Sequence, residues 1–69
     1  MHIMTFNCSY FGLSSCEVRI RFPEGSISIQ SDGKTVRAYT ESVEVLINPS
    51  TKHYAVYGQE ADSTEVSIR

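Results

Sequence analysis

The sequence predicts an all-β fold: a small antiparallel meander that closes into a barrel or a two-layer sandwich of about six or seven short strands. Two observations support this prediction. Apolar and polar residues alternate with a period of two in several segments, which places successive side chains on opposite faces of a strand. Turn signals recur at about ten-residue spacing, and all four glycines, at positions 12, 25, 33 and 58, fall within them.

The strongest local signals lie in residues 16–38. In the first strand of this stretch, apolar residues alternate with Arg19 and Arg21. A two-residue turn at residues 24–25 would join it to a second strand. The Asp-Gly pair at residues 32–33 tolerates the positive φ angles of a type I′ hairpin and would join the second strand to a third.

These two turns agree on one buried face. They would place Ile20 opposite Ile29, and Ile29 opposite Val36, so that apolar residues meet across both hairpins. A slip of one residue would turn the apolar side chains of a whole strand toward solvent. The other face of the meander would then carry three of the six Lys and Arg residues, Arg19, Arg21 and Arg37.

The N-terminal segment, residues 1–11, alternates loosely and predicts another strand, followed by a turn over residues 12–15. With a three-residue loop at residues 11–13, Cys8 would lie opposite Cys16, close enough for a disulfide. We expect free, partly buried thiols instead, as in a reducing compartment, with the bridge as the alternative.

Residues 39–47 allow two interpretations. Their β-branched residues alternate as in a strand, and a turn at residues 40–41 would place Arg37 opposite Glu44 as an ion pair. The same segment has helical spacing behind Thr40 as an N-cap, so a short helix over residues 40–47 is the alternative. The remaining segments predict, in order, a turn, an aromatic strand, an acidic loop and a closing strand: residues 48–51, 53–57, 58–63 and 64–68.

Length and charge limit the classes of function. The 69 residues form a single domain, 1–69. The net charge of −2 argues against a general nucleic-acid binder. Charge is nevertheless uneven, with none in residues 1–16, +1 in residues 17–37 and −3 in residues 38–69. Neither a signal peptide nor an apolar run of about 20 residues is visible, so we expect a cytoplasmic chain without a membrane partner.

The sequence offers little for catalysis or metal binding. His2, His53, Cys8 and Cys16 are the soft metal ligands of the chain, and their spacings match no zinc pattern. Neither cysteine lies in a nucleophile motif, and no glycine-rich phosphate loop occurs. We therefore expect no enzyme activity, no metal and no cofactor.

The predicted function is a non-enzymatic protein–protein interaction. The chain would act as an inhibitor or adaptor that blocks the surface of a protein partner. We include the possibility that a phage or another mobile element encodes this chain. The alternative is a small β-barrel that binds nucleic acid or another anionic ligand through its arginines. A third route is a homodimer through strand edges. The predicted partner-binding residues are Arg19, Arg21, Arg37, Tyr39, Tyr57, Glu60 and Asp62.

Overall fold

The computed structural model describes residues 2–23 and 25–69, and this part of the chain contains strands and two short 3-10 helices but no α-helix. The prediction of an all-β fold is therefore confirmed. The 3-10 helices are Cys8–Phe11 and Ala61–Ser63. The seven strands are β1 (His2–Asn7), β2 (Glu17–Phe22), β3 (Ser28–Ser31), β4 (Val36–Tyr39), β5 (Val43–Asn48), β6 (His53–Gly58) and β7 (Glu65–Ile68).

The strands form two antiparallel sheets. Sheet A has three strands in the order β1-β2-β7, and sheet B has four strands in the order β3-β4-β5-β6. A single cluster of buried apolar side chains includes residues of both sheets, among them Val18, Ile20 and Phe22 from sheet A and Val36, Val45 and Ile47 from sheet B. The alternative of a closed barrel is wrong, because each sheet keeps two edge strands.

The predicted hairpin between β2 and β3 does not form. β2 lies between β1 and β7, whereas β3 pairs with β4. Alternation identifies which side of a strand is buried but leaves its neighbour open, and here the chain leaves sheet A at Pro23 and enters sheet B at Ser28. The turn predicted at residues 24–25 is described only in part. Gly25 has a positive φ of 97°, and Glu24 lies outside the described residues.

The hairpin between β3 and β4 forms with a register shifted by two residues. Ser31 pairs with Val36, and Ile29 pairs with Ala38 instead of Val36. The Asp32 carboxylate explains the longer loop, because it accepts hydrogen bonds from the backbone N–H groups of residues 34 and 35 at 2.8 and 2.7 Å. A shift of two keeps every side chain on its predicted face.

Residues 43–48 form a strand, so the helical alternative for residues 40–47 is wrong. The turn lies one residue later than predicted, because the Thr40 N–H donates to the Val43 carbonyl at 2.8 Å. Arg37 therefore lies directly opposite Leu46 rather than Glu44. The predicted turn, aromatic strand and closing strand that follow are all present.

The N-terminal strand ends at Asn7, earlier than predicted. The Asn7 side chain caps the first 3-10 helix by accepting from the Ser9 N–H at 3.0 Å. The register predicted for Cys8 and Cys16 is confirmed, since the Cys8 N–H donates to the Cys16 carbonyl at 2.9 Å. The expectation of free thiols is wrong: a disulfide joins the two buried cysteines, whose Cα atoms are 5.1 Å apart.

Candidate functional site

The three arginines predicted to share one face lie on different sheets. Arg19 and Arg21 are in β2 of sheet A, and Arg37 is in β4 of sheet B. All three alternate with buried residues of the common core, so they point outward from their own sheets. The prediction of a shared arginine face was wrong because it depended on the pairing of β2 with β3.

The outer face of sheet A keeps two of these arginines and adds a third. Arg21 lies opposite Glu65 and donates to its carboxylate at 3.3 Å. Arg69 joins this face next to Glu17, through reciprocal backbone hydrogen bonds of 2.9 Å. Arg19 lies between these two pairs and forms no ion pair in the described part of the chain. The Arg21–Glu65 pair is exposed and contributes about 0–1 kcal/mol.

The outer face of sheet B carries aromatic and apolar residues around a single arginine. The register places Tyr39, Glu44 and Tyr57 in one cross-strand row. The next row contains Gln30, Arg37, Leu46 and Ala55. We call the central six of these residues the Tyr–Arg face: Arg37, Tyr39, Glu44, Leu46, Ala55 and Tyr57.

Arg37 is held in place from two sides. Its guanidinium carbon lies 4.3 Å from the centre of the Tyr39 ring, within cation–π distance. Its Nε donates to the Glu44 carboxylate at 2.7 Å, so the predicted ion pair is present along a diagonal of the sheet. Both side chains are partly exposed. Because its rotamer is already fixed, Arg37 would lose little conformational entropy on contact with a ligand.

Glu41 borders the Tyr–Arg face at one end, and the backbone of Glu60 lies beside the turn that contains Glu41. Glu41 lies in the turn between β4 and β5, and the Glu60 N–H donates to the carbonyl of Ser42 in the same turn at 3.3 Å. We call Glu41 and Glu60 the acidic rim. A shallow cleft of about 490 Å³ lies here, lined among others by Glu41, Glu44 and Tyr57. Asp62 is exposed in the second 3-10 helix, just beyond the rim.

Gly58 makes the close approach of these two loops possible. It has a positive φ of 122° at the end of β6. A Cβ atom at this position would collide with the backbone of Ser42 and Val43. The glycine therefore allows the end of β6 to lie against the β4–β5 turn, where the Glu60 N–H donates to the Ser42 carbonyl.

The structure thus brings together some of the predicted site residues and separates others. Arg37, Tyr39 and Tyr57 share one face, with Glu60 at its border, while Arg19 and Arg21 lie on the outer face of sheet A. Sequence reasoning missed Glu41, Leu46 and Ala55 as members of this surface. Leu46 gave a usable signal, because an apolar residue at an outward position of an alternating strand has no role in the core.

Other kinds of site find no support in the described residues. No group of three or more His, Cys, Asp or Glu side chains is arranged to hold a metal ion in residues 2–23 and 25–69. None of the helices in this part of the chain has the length and apolar character needed to cross a membrane. Comparisons with family models, curated proteins and solved structures found no match to this chain.

Proposed function

We propose that this protein is a non-enzymatic protein-binding module whose Tyr–Arg face and acidic rim cover a basic surface of a partner protein. The observation that carries this proposal is the cleft in which Arg37, Glu41, Glu44 and Tyr57 meet. Tyrosine and arginine dominate the energetics of protein interfaces because they bury a large area and also form directed polar contacts.

The charge around the cleft favours a basic partner. Residues 38–69 have a net charge of −3, and the Arg37 guanidinium is already paired with Glu44. A lysine or arginine of the partner would lie over the exposed Tyr57 ring and pair with Glu41 at the rim. Attraction between the acidic rim and the basic surface would also accelerate association at low salt.

Such a module would act as an inhibitor or adaptor. Covering a basic surface blocks whatever anion the partner binds there, and this action requires no catalytic group on the chain itself. A phage or mobile-element origin stays a prediction from the sequence. The Cys8–Cys16 bridge supports an oxidising compartment rather than the cytoplasm predicted from the sequence, because disulfides persist in oxidising surroundings.

The alternative function is an anionic-ligand site on the outer face of sheet A. Arg69 favours it, because this residue joins Arg19 and Arg21 on that face. Two neighbouring carboxylates, Glu17 and Glu65, weaken it by offsetting most of the positive charge. Arg37 adds nothing, since it belongs to the other sheet. We therefore favour the protein-binding function.

Site-specific photocrosslinking tests the proposed face. A photoreactive phenylalanine analogue replaces Tyr57 in one variant, and in the matched control it replaces Ser67, which is exposed on the outer face of sheet A. We expect the position-57 variant to form one covalent adduct with a different protein, which excess wild-type chain suppresses, with the crosslink at a Lys- or Arg-rich segment of that partner. Equal adducts from position 67, or an adduct on an acidic segment, would refute the proposal.

Charge reversal gives an independent test with the captured partner. Glu41→Lys adds the same charge as Glu17→Lys but on the opposite side of the protein. We expect Glu41→Lys to weaken binding by about tenfold or more, since unlike charges across an interface become like charges. Glu17→Lys should bind as the wild type does. A salt-sensitive gain of binding with Glu17→Lys alone would instead support the sheet A alternative, because the substitution adds positive charge beside the arginines of that face.

A further inference from the structure

One edge of sheet B has the properties of a pairing surface. β6 pairs with β5 on one side only, so alternate N–H and C=O groups on its other side have no strand partner within sheet B. Its sequence, HYAVYG, contains no charged residue and no proline, the usual means of protecting an edge. The edges β3 and β7 are shorter, at four residues each against six.

The two tyrosines of β6 have large solvent-exposed areas. Tyr54 lies opposite the fully buried Ile47, on the core side of sheet B, yet it is 50% exposed. Tyr57, on the outer side, is 57% exposed. On the other long edge, β1, the core-side residues Met4 and Phe6 are half-buried and packed against the core. Exposed aromatic surface on both sides of an edge strand therefore distinguishes β6.

We propose that β6 pairs antiparallel with β6 of a second copy, forming one continuous sheet of eight strands, twice the four of sheet B, with the twofold axis at Ala55. This register places Tyr57 opposite His53 of the second copy and Tyr54 opposite Val56 of the second copy. Aromatic residues opposite β-branched ones are favourable cross-strand pairs. Centring the pair on Val56 instead would leave Tyr54 facing a glycine.

Charge complementarity supports the antiparallel direction. Lys52 directly precedes β6 and Glu60 lies two residues after its end, so the basic end of β6 in one copy would meet the acidic end of β6 in the other. The symmetric contact repeats on the other side of the axis. The pairing is argued from the edge of sheet B and is tested without the proposed partner, although Tyr57 and Glu60 also belong to the surface proposed to bind that partner.

A cysteine crosslink tests both the pairing and its register. Ala55 and Gln30 lie in the same cross-strand row of sheet B, at its two opposite edges, so Gln30→Cys is a matched control for Ala55→Cys. Cysteines opposite one another at the axis are close enough to bridge. We expect Ala55→Cys to form a covalent dimer of twice the 7.7 kDa chain mass under mild oxidation, about tenfold faster than Gln30→Cys.

Sedimentation velocity with the unmodified chain provides the second measurement. We expect concentration-dependent dimerisation that Tyr54→Lys abolishes and that Ile3→Lys, at an exposed position of the β1 edge, leaves unchanged. Circular dichroism shows that each variant is folded. A chain that stays monomeric, equal crosslinking of both cysteine variants, or a dimer lost only with Ile3→Lys would each overturn the proposal.

Discussion

Breaking the Cys8–Cys16 disulfide should cost this small protein a large share of its stability. The bridge spans eight positions, and closing a loop of that size removes about 2.5 kcal/mol of chain entropy from the unfolded state. A domain of this length is expected to have a free energy of unfolding near the low end of about 5–15 kcal/mol. Reduction should therefore remove a quarter to a half of the total.

Urea unfolding of the oxidised and reduced wild type measures this contribution with the same side chains in both samples. We expect the midpoint to fall on reduction, and thermal unfolding to shift down by roughly 10–20 °C, at about 4–8 °C per kcal/mol. The Cys8→Ala/Cys16→Ala variant is the control, because reductant should leave its midpoint unchanged. Equal midpoints for oxidised and reduced wild type would refute the assignment of stability to the bridge.

Two further predictions concern the loops. Gly58→Ala should destabilise the fold by more than the roughly 1 kcal/mol expected from the positive φ alone, because its Cβ also meets the β4–β5 turn. Gly33→Ala is the control, since the space around Gly33 is open and only the cost of the positive φ remains. Equal losses of stability in urea unfolding would contradict the close approach at Gly58. Hydrogen bonds from the Thr35 and Lys34 N–H groups lower the pKa of Asp32 below its usual 3.8, so its stabilising effect should be complete above that pH and should be lost as pH falls through the lowered value. The difference in unfolding midpoint between wild type and Asp32→Ala should accordingly shrink in acid, and a difference that does not change with pH would contradict this reasoning.

Local sequence patterns predicted most of the strands because alternation is a property of each strand alone. Val18, Ile20 and Phe22 are all fully buried, as the period of two required. The burial of Val36 and Ala38 was predicted equally well, although the register of their hairpin was shifted by two. A shift of two leaves the faces unchanged, so these two assignments were insensitive to that error. The predicted burial of Ile29 was wrong: this residue is 36% exposed, because β3 is an edge strand of sheet B.

Strand pairing could not be predicted in the same way, because it depends on contacts far apart in sequence. The partner of β2 on one side is β7, and Arg21 pairs with Glu65 across 44 positions. No local signal in the sequence favoured this pairing over the adjacent β3. The candidate site inherited the same error, since the position of Arg37 relative to Arg19 depended entirely on which strands were neighbours.

The separation into two sheets also gives the protein two chemically different outer surfaces. Sheet A displays Arg19, Arg21 and Arg69, while the Tyr–Arg face of sheet B ends in the acidic rim. In a β6-paired dimer the twofold axis would join the Tyr–Arg faces of the two copies into one surface. One acidic rim would then lie on each side of the axis. A partner with two basic patches would then bind with avidity, whereas a partner with one patch would gain nothing from dimerisation. Comparing the affinity of wild type with that of Tyr54→Lys, which retains the rim but should be monomeric, separates these two cases.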